Sequence, residues 1–207
     1  RARQRVFEDA EVEAEAGRVR QEWGLGLGPI SNVVKLMENK GIIVSYIPET
    51  CAEVDAFSGW RQNHPFVFLT AFKDAPSRSR FDAMHELGHL IMHADAQPGN
   101  PEIEQQANLF ASAFLMPRES FSREAPRRLD WLLIWELKRR WKVSAAAIIR
   151  RSRDLGILSE ASYKRACIHL NEMTRMVDGQ RVPEPEEPDR EEPGLLTRSV
   201  EIGRAHV

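Results

Sequence analysis

The sequence predicts an α+β protein: a small, mainly antiparallel three-stranded sheet packed on helices, followed by a helical, helix-turn-helix-like subdomain. Three observations predict it. Helical periodicity marks both ends of the chain, three β-branched or aromatic runs cluster between residues 42 and 70, and a basic, tryptophan-bearing stretch follows Pro126. With 207 residues and 42% apolar content, the chain has room for one ordinary domain and an accessory piece. The expected divisions are 1–125 for the α+β domain, 126–176 for the basic helices and 177–207 for an acidic tail.

Taken in order, residues 3–23 are rich in Ala, Glu and Arg, with Val6, Phe7, Val12 and Val19 interspersed, and predict a helix. "GLGLGP" at 24–29 breaks it. "ISNVVKLMENKG" repeats the helical spacing and stops at Gly41. "GIIVSYI" reads as a strand, and "EVDAFSGW" and "PFVFLT" as two more, joined around "RQNH". Helices follow over 77–93 and 102–115, the second ended by Pro117. Residues 127–165 carry eleven Lys or Arg against four acids and read as two or three short helices. "VPEPEEPDREEP" is acidic and proline-rich with almost nothing to bury, so disorder is expected there.

No run of about 18 apolar residues exists, so no membrane-spanning helix is expected. The first twenty residues are charged throughout, unlike a secretory signal. Cys51 and Cys167 lie far apart and neither belongs to a C-x-x-C, which suits reduced thiols in a cytoplasmic protein.

The chemistry concentrates in "FDAMHELGHLIMH", residues 81–93. Residues four apart on a helix differ by roughly 40° around the axis, so His85 and His89 project from one face, able to grip one ion. Glu86 lies about 100° from His85, beside that face, placed as a general base rather than a further ligand. Met84, Leu87 and Ile91 form the opposite, apolar stripe. This is the H-E-x-x-H pattern of two ligands and a base. A catalytic zinc takes three protein ligands and keeps one open position. His93 continues the series but stands about 12 Å along the axis from His85, so it reads as a neighbour on the rim. In "EIEQQANLFASAFLMP", Ile103, Ala107, Phe110 and Phe114 make a buried stripe, and Glu104 falls at its margin with Asn108 one turn on. Glu104 is the better third ligand, Glu102 the weaker, and Asn108 suits an acceptor for the far N–H of a ligating histidine.

"RFDAMHELGHLIMH" followed by "EQQANLFASAFLMP" resembles the ImmA/IrrE family of zinc-dependent regulatory peptidases, with "GLGLGPISNVVKLMENKGIIV", "DAFSGW" and "HPFVFLT" similar to that family's lead-in. The resemblance covers roughly residues 20–120 and extends loosely into the basic stretch. It implies a minimal zincin-like core in which His85, His89 and Glu104 hold Zn2+ and Glu86 is the base; Mn2+ or Fe2+ suit the same donors. It also implies a cytoplasmic endopeptidase cutting a repressor or antitoxin, often one with a helix-turn-helix, in stress-response or mobile-element control. Members with a long lead-in commonly carry a DNA-binding helix-turn-helix domain there, so a domain preceding Arg1 is an expectation. "PFVFLT" is read either as an edge strand for an extended substrate or as a plain core strand. Tyr46 and His64 are the candidate oxyanion donors.

Helices near 130–141 and 144–154 have helix-turn-helix spacing, and Arg139, Arg140, Arg150, Arg151 and Arg153 are candidates for contact with phosphates or a protein partner. Against DNA, Trp131, Leu132, Leu133, Trp135, Leu137 and Trp141 suit a packed bundle with a solvated basic face. The rival function is a non-catalytic zinc-fold module of a DNA-binding regulator or antitoxin.

Overall fold

The computed structural model describes residues 6–47, 56–70, 75–94, 99–177 and 180–195. Cys51, the first part of "EVDAFSGW" and the end of the chain fall outside them. Helix α1 (Asp9–Glu22) starts where the Glu8 backbone N–H donates to Glu11 Oε2 at 2.9 Å. The glycine-rich turn after it is tied down by the buried Arg20, which donates to the carbonyls of Gly26, Gly28 and Phe114. Helix α2 (Val33–Asn39) is capped by Asn32, whose side chain accepts from Lys35 N.

Strands β1 (Ile43–Ile47), β2 (Phe57–Arg61) and β3 (His64–Thr70) form one sheet in the order β1-β3-β2. The β2–β3 turn places Gln62 and Asn63 at φ 49° and 63°, the two left-handed positions of a tight hairpin whose twist matches the strands. The sheet is mixed. β2 pairs antiparallel with β3 and β1 pairs parallel with it, where a mainly antiparallel sheet was expected. Strand β3 is therefore central, and the edge-strand reading of "PFVFLT" does not hold: both its flanks are used. Val67 and Leu69 point to the core, and Phe66 and Phe68 stack with Phe57 on the other face.

Helix α3 (Pro76–Met92) begins with proline at its first position, where the missing N–H costs nothing. Helix α4 (Pro101–Leu115) starts the same way, with Asn100 accepting from Glu102 N. A short α5 (Arg118–Glu124), unforeseen in the sequence, follows Pro117. Then come α6 (Trp131–Trp141), α7 (Ala145–Asp154), α8 (Glu160–Met173) and a two-residue hairpin, β4 (Met176–Val177) with β5 (Gln180–Arg181). Asp130, Ser144 and Ser159 cap α6, α7 and α8. Lys142 turns the chain between α6 and α7 at φ 54°.

The main core joins α1 to α4 and the sheet through residues such as Val12, Met37, Val67, Met84, Phe110 and Phe114. Leu137, Trp141 and Ile148 reach into it from α6 and α7, while Ile134, Ile149, Leu158 and Leu170 form a second cluster within α6–α8. Cys167 is a half-buried free thiol on α8. Among the described residues, no helix is long and apolar enough to cross a membrane.

The acidic stretch departs furthest from expectation. Residues 182–195 are not loose over this span: Glu184, Glu187 and Glu191 all make ion pairs or hydrogen bonds with the body of the protein. Composition suggested disorder because the stretch has little to bury, but its partners are cations and amides rather than apolar surface.

Candidate metal centre

Helix α3 lays its apolar side, Met84 and Leu87, into the core, which turns His85 and His89 toward α4. The two helices meet where side chains are smallest. A Cβ added to Gly88 would lie 3.2 Å from Phe110 Cδ1 and 3.3 Å from the Ala107 Cα, so glycine sets the closeness of approach. Glu104, one turn before Ala107, is thereby brought over the two histidines. His85 Nε2 stands 3.0 Å from His89 Nε2 and 3.1 Å from Glu104 Oε2, and His89 Nε2 is 3.6 Å from Glu104 Oε1. Donors about 2.0–2.1 Å from one tetrahedral ion stand about 3.3–3.4 Å apart, so the three are spaced for a single cation.

The hydrogen-bond network fixes which nitrogens face inward. Asn108 Nδ2 donates to the Glu104 carbonyl at 2.8 Å, which turns its Oδ1 toward His85 Nδ1, 3.2 Å away. The Nδ1–H of His85 therefore donates to Asn108, and Nε2 keeps its lone pair. A longer chain does the same for His89. Gln106 Nε2 donates to the Phe7 carbonyl at 2.9 Å, so Gln106 Oε1 accepts from His93 Nε2 at 2.9 Å. His93 Nδ1 is left as the acceptor for His89 Nδ1, 3.2 Å away. Both inward Nε2 atoms are thus lone pairs facing each other beside a carboxylate, an arrangement that repels itself unless a cation lies between.

Electrostatics agree with that assignment. Burial, reinforced by the positive form of His85, pulls His89 down to about 4, so the ring is neutral at pH 7, the form a metal ligand requires. Burial also lowers His93. Glu86 is 6% exposed. Burial holds its carboxyl above the ordinary range, against the Ser58 hydroxyl and His85, while Glu104 and Asp82 add to the rise. The donors themselves keep a path to solvent, the Glu104 side chain being 44% exposed.

The structure brings His85, His89, Glu104 and Asn108 together and sets Glu86 within their field. Glu102 is exposed at the start of α4 and outside the donor group. His93, read as a rim residue, is buried and orients His89; its i+4 spacing from His89 was the available signal. Tyr46 and His64, the candidate oxyanion donors, lie outside the donor group. The Tyr46 hydroxyl donates to the Glu191 carbonyl at 2.7 Å, among residues of the first turns of α3 such as Pro76 and Arg80, and His64 stands exposed beside Arg61 at the hairpin.

The arginines divide. Arg151 is fully buried, donating to the Met116 carbonyl at 3.0 Å and paired with Glu13, so it is corrected to a structural cation that no phosphate reaches. Arg139 and Arg140 are exposed beside Glu186 and Glu124. Arg150 and Arg153 pair with Asp154, and Arg153 also lies over the Tyr163 ring. These two, with Arg78 and Arg118, line a cleft of about 1190 Å³ that opens onto Asp82 and Asn108, beside the histidines.

No curated protein matches the chain. Among solved structures it is similar to a Mycobacterium tuberculosis transcriptional regulator, at 20% identity and a TM-score of 0.44. That match covers 68% of this chain and 46% of the other, so this chain spans less than half the length of that protein. A family model, the peptidase M78 family described as the IrrE N-terminal-like domain, matches residues 37–153, more than half the chain and a range that holds His85, His89 and Glu104. On that match, the chain belongs to the IrrE N-terminal-like peptidase family.

Proposed function

We propose that the protein is a cytoplasmic, zinc-dependent endopeptidase that cuts a repressor or antitoxin protein, with His85, His89 and Glu104 as the metal ligands and Glu86 as the general base. The observation that carries this reading is the pair of inward Nε2 lone pairs 3.0 Å apart, closed by Glu104. Zinc suits two imidazoles and a carboxylate, and Mn2+ or Fe2+ fit the same set. When bound, such an ion supplies Lewis acidity to a peptide carbonyl and acidifies water. Glu86, raised by its burial, takes the proton of the attacking water and delivers it to the leaving amine. Asn108 and His93 hold the two rings in the tautomers this requires.

An extended substrate pairs with β2, the edge beside α3. Ser58 Oγ donates to the Glu86 carbonyl at 3.2 Å and Trp60 Nε1 to the Leu90 carbonyl at 3.3 Å, which keeps this edge alongside the histidines. Phe57 and Trp60 are 43% and 51% exposed, as side chains that meet a substrate would be. The cleft bearing Arg150 and Arg153 receives the folded remainder of the partner. Asp9, Glu13, Asp82 and Asp154 line that cleft beside its arginines, a mixed charge that supports a protein over DNA as the partner of α6–α8.

The test is co-incubation with the neighbouring repressor, with and without chelator, beside metal analysis of the chain and of Glu104→Ala. Chelator-sensitive cleavage that Glu86→Gln loses supports the reading. Stoichiometric metal without cleavage of any such partner returns the protein to the rival reading of a zinc-fold binding module.

A further inference from the structure

Lys138 on α6 is fully buried and Arg80 on α3 is 2% exposed. A buried cation without a counter-charge is strongly unfavourable. Both find theirs in residues 182–195. Lys138 Nζ pairs with Glu184 at 2.8 Å and with Glu187, and Arg80 pairs with Glu191. The same carboxylates accept from backbone amides. Glu184 takes Ala145 N at 2.8 Å, at the start of α7, and Glu187 takes Ser77 N at 2.9 Å and Ser77 Oγ at 3.0 Å, at the start of α3. Glu191 takes Val33 N and Val34 N at 2.7 and 3.0 Å.

The segment itself is built differently from a core element. It has almost no regular structure, only Glu191 is buried, and its apolar ends, Val182 and Leu195, stay 38% and 37% exposed. What holds it is charge and hydrogen bonding read at the spacing E-x-x-E-x-x-x-E. It also lies outside the matched family region. A site of buried cations and helix-start amides, filled by an irregular segment held chiefly through its carboxylates, with Tyr46 on the Glu191 carbonyl and Glu38 on the amides of Gly194 and Leu195 beside them, has the form of a receptor with a ligand.

We propose that Lys138, Arg80 and the amides of Ser77 and Ala145 form a binding groove for an extended acidic peptide, and that residues 182–195 are its resident, exchangeable ligand. A partner protein presenting glutamates at the same spacing competes for the groove in place of the chain's own segment.

The experiment inserts a recognition sequence for a specific protease between Asp178 and Gly179 of the full chain and cuts after folding. The freed fragment stays associated near 50 mM salt and leaves near 500 mM, because screening shortens the Debye length from roughly 14 Å to about 4 Å. A labelled 182–195 peptide then rebinds at low salt, while each Glu→Gln peptide at 184, 187 or 191 binds roughly tenfold or more weakly, and a scrambled peptide of equal composition fails. A fragment retained at high salt, Glu→Gln peptides that bind equally, loss of the helical circular dichroism on release, or a DNA duplex that displaces the peptide as readily as an acidic peptide does would each overturn the proposal. In the uncut chain, salt speeds amide exchange at Ser77 and Ala145 while leaving Leu87, inside α3, unchanged. Equal acceleration of all three overturns it as well.

Discussion

The two ends of α3 solve opposite electrostatic problems. Near Ser77 and Arg80, buried cations and free amides meet carboxylates from residues 182–195, and the charges close within the chain. Near His85 and His89, lone pairs and a carboxylate converge, and among the described residues no lysine or arginine pairs with them. The contrast teaches where to look for chemistry. A site whose charges are balanced by the chain's own groups holds structure or a ligand of like kind, whereas donors left facing one another are prepared for something from outside.

The largest expected effect separates the two ends. His89→Ala or Glu104→Ala takes bound metal from about one equivalent to none detectable by elemental analysis, while Lys138→Gln leaves it unchanged. Next, under the proposed function, Glu86→Gln keeps the metal and lowers cleavage of the partner protein about 10²–10⁴-fold, as loss of a general base does. Asn108→Ala and His93→Ala weaken metal binding by about 10–100-fold in competition with a chelator, because each leaves a ligand ring free to turn. Gly88→Ala forces α3 from α4 and costs about 1–3 kcal/mol in urea unfolding, with a matching loss of metal affinity.

The smallest effect is on pH. The folded-state value of His89, about 4, lies below that of a free imidazole, so between those values the unfolded chain binds the extra proton and the folded chain does not. Stability of the metal-free protein is then fully present above about pH 6.5 and falls as pH drops toward 4. Urea titrations at pH 7.5 and 5 measure the loss, and His89→Ala makes it smaller.

Much of the candidate site's donor geometry was legible in the sequence because helix geometry converts spacing into direction. The four-residue interval of His85 and His89, and the position of Glu104 and Asn108 on the margin of an apolar stripe, specify faces without reference to the rest of the fold. What spacing does not encode is partnership across the chain. Strand order is such a case: nothing local to "PFVFLT" says that β1 pairs parallel on one flank. Arg151 looked like one member of a basic face because its counter-charge, Glu13, lies 138 residues away. The acidic segment looked unstructured for the same reason, since a stretch poor in apolar residues folds only onto charges supplied elsewhere. His93 hid in plain periodicity, its role visible only once Gln106 was known to stand beside it.

The path from the Phe7 carbonyl through Gln106 and His93 to His89 ties the backbone ahead of α1 to a distant ring. Phe7 stands just before Glu8, the N-cap of α1, and its peptide oxygen decides how an amide is turned. The amide in turn sets a proton on one side of an imidazole, and that imidazole aims the next. The orientation of the ring at residue 89 thus rests, through two side chains, on the backbone ahead of α1.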